Sequence, residues 1–181
     1  MFPAGKKKNL RIVKGPGFSL KIPRDFIGRS QDDPKGNWGY GEFFKAVTFS
    51  KDLAPQTICL FFYWQRTKNK LSEERVRTLI KDLCQSRLFS GDHALDPIES
   101  WPITIQQFSG FLLKYNFSHL DPQTTGKLGF YVINNIRQHK VFILGAVIET
   151  NGNRTIEREV ITWIEDEIIS SFRFRALRSK E

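Results

Sequence analysis

The side chains best suited to metal chemistry are two histidines, each followed closely by an aspartate. The pairs are His93 with Asp96, and His119 with Asp121. Together they could ligate Zn²⁺ or Mn²⁺, because imidazole and carboxylate groups suit both ions. However, each aspartate precedes a proline, which is a turn signal, and we place both histidines on loops. No ligand pair has a spacing fixed by a helix or hairpin, so we predict no bound metal and no cofactor.

The sequence also lacks the usual motifs of nucleophilic catalysis and phosphate binding. Neither Gly-x-Ser-x-Gly nor the glycine patterns that cradle phosphates occur, and no cysteine has a histidine nearby in the sequence. Cys59 lies in an apolar run and Cys84 on a predicted helix, so we interpret both as buried hydrophobic residues, with a disulfide left open. We predict that the chain is not an enzyme; a metal-dependent enzyme at the two histidine segments is the remaining catalytic alternative.

The net charge of +9 is concentrated at the chain ends. Residues 31–171 contain sixteen basic and seventeen acidic residues. We therefore predict a basic tether over residues 1–16 and a basic tail over residues 175–181. The tether could bind anionic membrane lipid or nucleic acid through these side chains: Lys6, Lys7, Lys8, Arg11 and Lys14. Nucleic acid is disfavoured, because the aromatic residues lie in apolar runs rather than between basic ones.

One loop offers aromatic side chains for a protein partner. Trp38 and Tyr40 lie between glycines, and such residues present flat contact surface at little cost in side-chain entropy. The alternative is that Trp38 folds back and covers the sheet edge. The sequence leaves both interpretations open.

Two uninterrupted apolar runs define the predicted core. Residues 58–64 and 141–148 lack polar alternation, which indicates strands that are covered on both faces. Residues 18–22 alternate instead and predict a half-buried strand ended by Pro23, and residues 24–39 predict a long loop.

Helices and hairpins complete the predicted architecture. A helix capped by Ser72 ends near Phe89, and a second begins near Asn153 or Thr155 and ends near Ser171. Strands over 101–107 and 110–117 turn at Ser109-Gly110, and 127–136 pairs with 140–149. The resulting prediction is an α+β fold: a three-layer α/β/α sandwich with a central, antiparallel, twisted sheet of about 6–7 strands.

The opening Gly17-Phe18-Ser19-Leu20-Lys21-Ile22-Pro23 and the closing helix that runs into Phe172-Arg173-Phe174 resemble the PsbP-like superfamily. This superfamily includes photosystem II PsbP, a yeast Ran-binding import factor and bacterial envelope proteins such as DcrB. The resemblance covers residues 17–174 as one domain. It implies a non-enzymatic binding or assembly module that acts through an unidentified protein partner in a bacterial cell envelope. The sequence leaves the location open: we expect the envelope or periplasm if an upstream signal was removed, and the cytoplasm otherwise.

Overall fold

The computed structural model describes residues 9–47, 56–88, 93–119, 125–149 and 154–175. These residues form a mixed α+β fold that is mostly antiparallel sheet. The strands are β1 (Leu10–Gly15), β2 (Phe18–Pro23), β3 (Ile27–Asp32), β4 (Trp38–Val47), β5 (Gln56–Arg66), β6 (His93–Ile105), β7 (Phe108–His119), β8 (Thr125–Asn135), β9 (Lys140–Glu149) and β10 (Arg173–Phe174). The helices are α1 (Glu73–Leu83) and α2 (Arg154–Trp163).

The main sheet has seven strands in the order β3-β4-β5-β9-β8-β7-β6. β5 pairs with β4 and β9, and β9 pairs with β5 and β8, so both apolar runs occupy interior strands. Every residue from Lys140 to Ile148 is buried. The prediction of interior strands at 58–64 and 141–148 is confirmed.

The two helices cover opposite faces of the main sheet. α1 packs against a cluster that includes Phe61 and Ile143, and α2 against one that includes Leu60 and Leu144. Neighbouring strand residues point to opposite faces, which places the helices on either side. As predicted, Ser72 caps α1, its hydroxyl accepting the Arg75 N–H at 3.4 Å.

Both helices continue beyond their α-helical ends. α1 runs into a π-helical turn at Cys84–Leu88, and α2 into one at Ile164–Ile168 followed by a 3₁₀ turn at Ile169–Ser171. In the described residues no helix has both the length and the apolar character needed to cross a membrane.

A second sheet, in the order β1-β2-β10, shares the α2 face of the main sheet. Phe18 of β2 anchors it, with ring centroids 5.1 Å from Phe62, 5.4 Å from Phe142 and 5.9 Å from Phe172. The sequence predicted one sheet of about 6–7 strands between helical layers. The structure has more strand, because a sheet as well as a helix covers this second face.

The predicted tether is wrong for residues 10–15. They form β1, which pairs with β2 from Leu10 opposite Pro23 to Gly15 opposite Phe18. Arg11 donates to the Phe26 carbonyl oxygen at 2.7 Å and lies 4.9 Å from the ring centroid of Phe43. Lys14 is exposed on β1, whereas residues 6–8 lie outside the described residues.

Two predicted connections also differ from the structure. The loop predicted over 24–39 contains the edge strand β3, which pairs with β4. The β6–β7 hairpin turns at Gln106 and Gln107, with φ angles of 48° and 73°, rather than at Ser109-Gly110. Positive φ at both central residues is the geometry of a tight hairpin turn that normally favours glycine or asparagine, so glutamine gave no sequence signal for it.

Candidate partner-binding groove

A groove of about 390 Å³ lies at the end of the main sheet where the chain leaves β5 for α1. Four of its described lining side chains are basic and one is acidic. We call it the basic groove, and its lining is Gln65, Arg66, Thr67, Lys68, Asn69, Lys70, Leu71, Arg75, Thr78, Leu79, Asp82 and Val141. This excess of positive charge was not predicted from the sequence, although Arg66, Lys68 and Lys70 lie within five residues of one another.

Hydrogen bonds from distant segments hold the wall of the groove in place. The Arg66 N–H donates to the Asn37 carbonyl oxygen and the Thr67 N–H to that of His139, both at 2.8 Å. The Leu71 N–H donates to Oδ1 of the buried Asn134 at 3.2 Å. The backbone is thus fixed at both ends of the loop while the side chains of residues 68–70 remain exposed. The loop can therefore present its lysines without reorganising.

The floor of the groove is apolar. Leu71 and Leu79 are half-buried and pack against the α1-side core, and Val141 is buried. Trp38 packs on the same cluster and lies opposite Gln65 in the β4–β5 register. The structure therefore places Trp38, a predicted partner-binding residue, beside the groove.

The structure places Tyr40 in the interior of the protein, whereas the sequence led us to expect it on an exposed loop. Its side chain is only 6% exposed, so the interpretation of Tyr40 as an exposed aromatic is wrong. The Tyr40 hydroxyl donates to Oε2 of Glu42 at 2.8 Å, and Nε of Arg29 donates to Oε1 at 2.9 Å. Tyr40 thereby supports the buried Glu42 carboxylate from within the sheet.

Two further basic residues lie at the same end of the main sheet, in the β8–β9 connection and at the start of β9. Nζ of the buried Lys140 donates to the Pro16 carbonyl oxygen at 2.8 Å and lies 4.5 Å from the ring centroid of Trp64. Burial, with the positive charge of Arg66 as a second cause, lowers the pKa of Lys140. Arg137, in the β8–β9 connection, is exposed. Basic side chains therefore outnumber acidic ones at this end of the sheet, where the Asp32 charge opposes them, even though residues 31–171 are almost neutral in total.

The histidines lie in strands rather than on the predicted loops. β6 begins at His93, β7 ends at His119, and the two are direct partners in the antiparallel register. Asp96 is exposed and opposite Asn116, and Asp121 lies outside the described residues. The described residues contain no group of three histidine, cysteine, aspartate or glutamate residues that could hold a metal ion. The metal candidates stay untested.

Both cysteines are buried and free, so no disulfide joins them. Burial raises the pKa of the Cys59 thiol to about 12, and the nearby Glu42 charge contributes to this increase. Burial also raises the pKa of the Cys84 thiol to about 12. Both thiols are therefore neutral near pH 7 and suited to packing.

No protein-family model matches this chain, and no curated protein sequence matches it. Solved structures do match over nearly the whole chain. Cyanobacterial PsbP (CyanoP) from Synechocystis sp. PCC 6803 has a TM-score of 0.54 and 14% identity, covering 95% of each chain. The Ran-binding protein Mog1p of Saccharomyces cerevisiae has a TM-score of 0.55 and 12% identity, covering 93% of this chain and 96% of Mog1p. A Mog1 point mutant gives a TM-score of 0.53 at 10% identity, covering 92% and 96%. The chain thus has the PsbP/Mog1 fold that the sequence motifs implied.

Proposed function

We propose that this chain is a non-enzymatic binding module that engages a protein partner through an acidic segment of that partner. The observation that carries the proposal is the basic groove, whose lining combines four cationic side chains with three apolar ones. The fold is shared with a Ran-binding protein, which supports protein binding as the general role.

The groove provides two kinds of contact. The exposed ammonium groups of Lys68 and Lys70 attract acidic side chains over a distance of about one Debye length, roughly 8 Å at physiological salt. Leu71 and Leu79 then offer apolar contact that salt does not screen. A segment that alternates acidic and apolar residues satisfies both, so it binds more tightly than acidic charge alone.

A fluorescein-labelled peptide of alternating glutamate and leucine residues tests this proposal by fluorescence anisotropy. The double variant Lys68→Glu/Lys70→Glu should weaken binding by about tenfold or more, since each reversal replaces attraction with repulsion. The matched control Lys21→Glu/Lys81→Glu makes the same change in net charge at exposed positions outside the groove. We expect the control to change affinity by less than about twofold. Equal losses in both variants would contradict the proposal.

The competing function is binding of an anionic surface through the N-terminal basic residues. It is tested with phosphatidylglycerol vesicles and a single-stranded DNA, using a chain that lacks residues 1–8. This deletion removes Lys6, Lys7 and Lys8 but leaves β1 intact. If only vesicles or DNA bind, and binding is lost on this deletion, the chain is a basic-tailed surface binder instead.

The bacterial cell-envelope location implied by the sequence resemblance stays a proposal. Fractionation of the source cells, with detection of the chain by antibody, tests it. Recovery in the cytosolic fraction alone would contradict it.

A further inference from the structure

A cavity of about 210 Å³ lies beneath α2, on the face of the main sheet opposite the basic groove. Strands β7, β8 and β9 form its floor through Leu112, Gly129, Ala146 and Ile148, and Ile161 and Ile164 form its roof. Most of the surface that these residues present is apolar. The cavity is partly open to solvent, so a ligand can enter without unfolding the helix.

The cavity exists because a side chain is missing from the middle of the floor. Gly129 has no described atom within 4 Å of where its Cβ would lie. Its neighbours in register are the small Ala146 on β9 and Lys114 on β7. Protein interiors are close-packed and contain few voids larger than a water molecule. Space of this size above the adjacent small residues Gly129 and Ala146 therefore indicates a site for a ligand.

The helix above the cavity is irregular at the same place. α2 changes to a π-helical turn at Ile164–Ile168, and single π turns are frequent at functional sites. This turn holds Glu165 over β8, where the Tyr131 hydroxyl donates to Oε1 of Glu165 at 2.6 Å. A half-buried polar pair thus spans sheet and helix at the cavity wall and can orient one polar atom of a ligand.

The charges around the cavity balance. Two glutamates, Glu99 and Glu165, and two lysines, Lys114 and Lys127, are its described charged lining residues. Nζ of Lys114 lies 5.0 Å from the ring centroid of Trp101, and Glu165 accepts from Tyr131. A charged ligand would have to compete with these contacts, whereas an uncharged one leaves them intact.

We propose that this cavity binds an uncharged, mostly apolar small molecule of one or two rings, with a polar group that faces Tyr131 and Glu165. An engineered apolar cavity of about 150 Å³ accepts benzene, and this one is larger at about 210 Å³. The site is separate from the basic groove, so it adds a small-molecule ligand to a protein-binding surface on the other face.

Indole is the test probe, with benzoate and cyclohexylammonium as charged probes of similar size. Titration followed by ¹H–¹⁵N NMR should give saturable shifts with indole at the amides of Leu112, Gly129 and Ile161. The charged probes should bind at least about tenfold more weakly, because burying an unpaired charge is costly. The variant Gly129→Leu should abolish indole binding by filling the floor.

The control variant is Thr104→Leu, an exposed position on the other face of β6, which should bind indole as the wild type does. If Gly129→Leu fails to fold, Gly129→Ala replaces it and should weaken binding several-fold. Each of the following results would overturn the proposal: no saturable indole shifts up to millimolar concentration, shifts that map elsewhere, or an indole affinity that is unchanged in the folded Gly129 variant. Tighter binding of either charged probe would also overturn it, since the ligand class would then be wrong.

Discussion

Two glycines on adjacent strands of the main sheet show how differently its faces are packed. Gly145 of β9 faces α1, and a Cβ there would overlap the ring of Phe61. Gly129 of β8 faces α2, and a Cβ there would meet no described atom within 4 Å. One missing side chain makes room for an aromatic ring, whereas the other leaves a cavity. The same residue type therefore serves close packing on one face and open space on the other.

The side chains around the two glycines are also packed differently. On the α1 face, the Phe61 and Phe130 rings lie 5.4 Å apart, and Tyr115 and Phe130 lie 5.8 Å apart, both edge to face. On the α2 face, phenylalanines of the small sheet fill the space above β5 and β9, while the space above β7 and β8 stays partly empty. We infer that close packing on the α1 face mainly stabilises the fold. On the α2 face, looser packing lowers the stability but leaves room for a ligand.

The largest expected effect is a loss of stability when a buried isoleucine of α1 is shortened, compared with the same change in the π-helical turn that continues α2. Ile80→Ala on α1 removes a fully buried side chain and should lower the free energy of unfolding by ~2–5 kcal/mol. Ile164→Ala at the cavity roof should cost clearly less, because part of its surface already faces empty space. Urea unfolding of both variants measures the difference. Equal losses would mean that the two faces are equally well packed.

The next prediction concerns Gly145. Gly145→Ala forces the Phe61 ring to move within a close-packed core, which should destabilise the fold by ~1–3 kcal/mol. Thermal and urea unfolding measure the loss. A variant as stable as the wild type would show that this core has unused space.

At Gly129 we expect an alanine substitution not to lower the free energy of unfolding, in contrast to Gly145. Gly129→Ala should leave the fold unchanged or stabilise it by about 0.5 kcal/mol, because alanine restricts the unfolded chain and its Cβ meets no described atom. The same unfolding experiments measure it, with Gly145→Ala as the matched comparison. A loss above about 1 kcal/mol would contradict an open cavity, since overpacking of a filled core has that size.

The smallest effect near neutral pH comes from the cysteines on the α1 face. The folded-state pKa of both thiols is raised to about 12, against about 8.5 in the unfolded chain. The stability they contribute is therefore complete below about pH 8.5 and is lost as the pH rises toward 12. We expect a loss of only a few tenths of a kcal/mol between pH 7 and pH 8, and a steeper loss above pH 9.

Urea unfolding across this pH range checks the cysteine prediction. The double variant Cys59→Ala/Cys84→Ala is the control and should lose much of the decline above pH 9. In the folded wild type, a thiol reagent at pH 8 should label neither cysteine until the protein unfolds. Rapid labelling of either would show that the α1 face is open to solvent.

The sequence by itself determined the interior of this fold. The runs at 58–64 and 141–148 are apolar without alternation, and such strands are stable only when both faces are covered. Ser72, followed by two acidic residues, was enough to place the start of α1. These features are local, because each depends on residue types within a few positions.

Only the tertiary structure decided where the candidate sites lie. Leu10–Gly15 becomes a strand because β2 supplies its hydrogen-bonding partner, which no local pattern records. Arg66 and Arg137 are far apart in sequence, so counting charge along the chain could not show that one end of the sheet is basic. The cavity above Gly129 depends on which residues face it from α2. The strand at 10–15, the basic end of the sheet and the cavity all depend on contacts between segments that are distant in the sequence. Local sequence patterns therefore could not predict them.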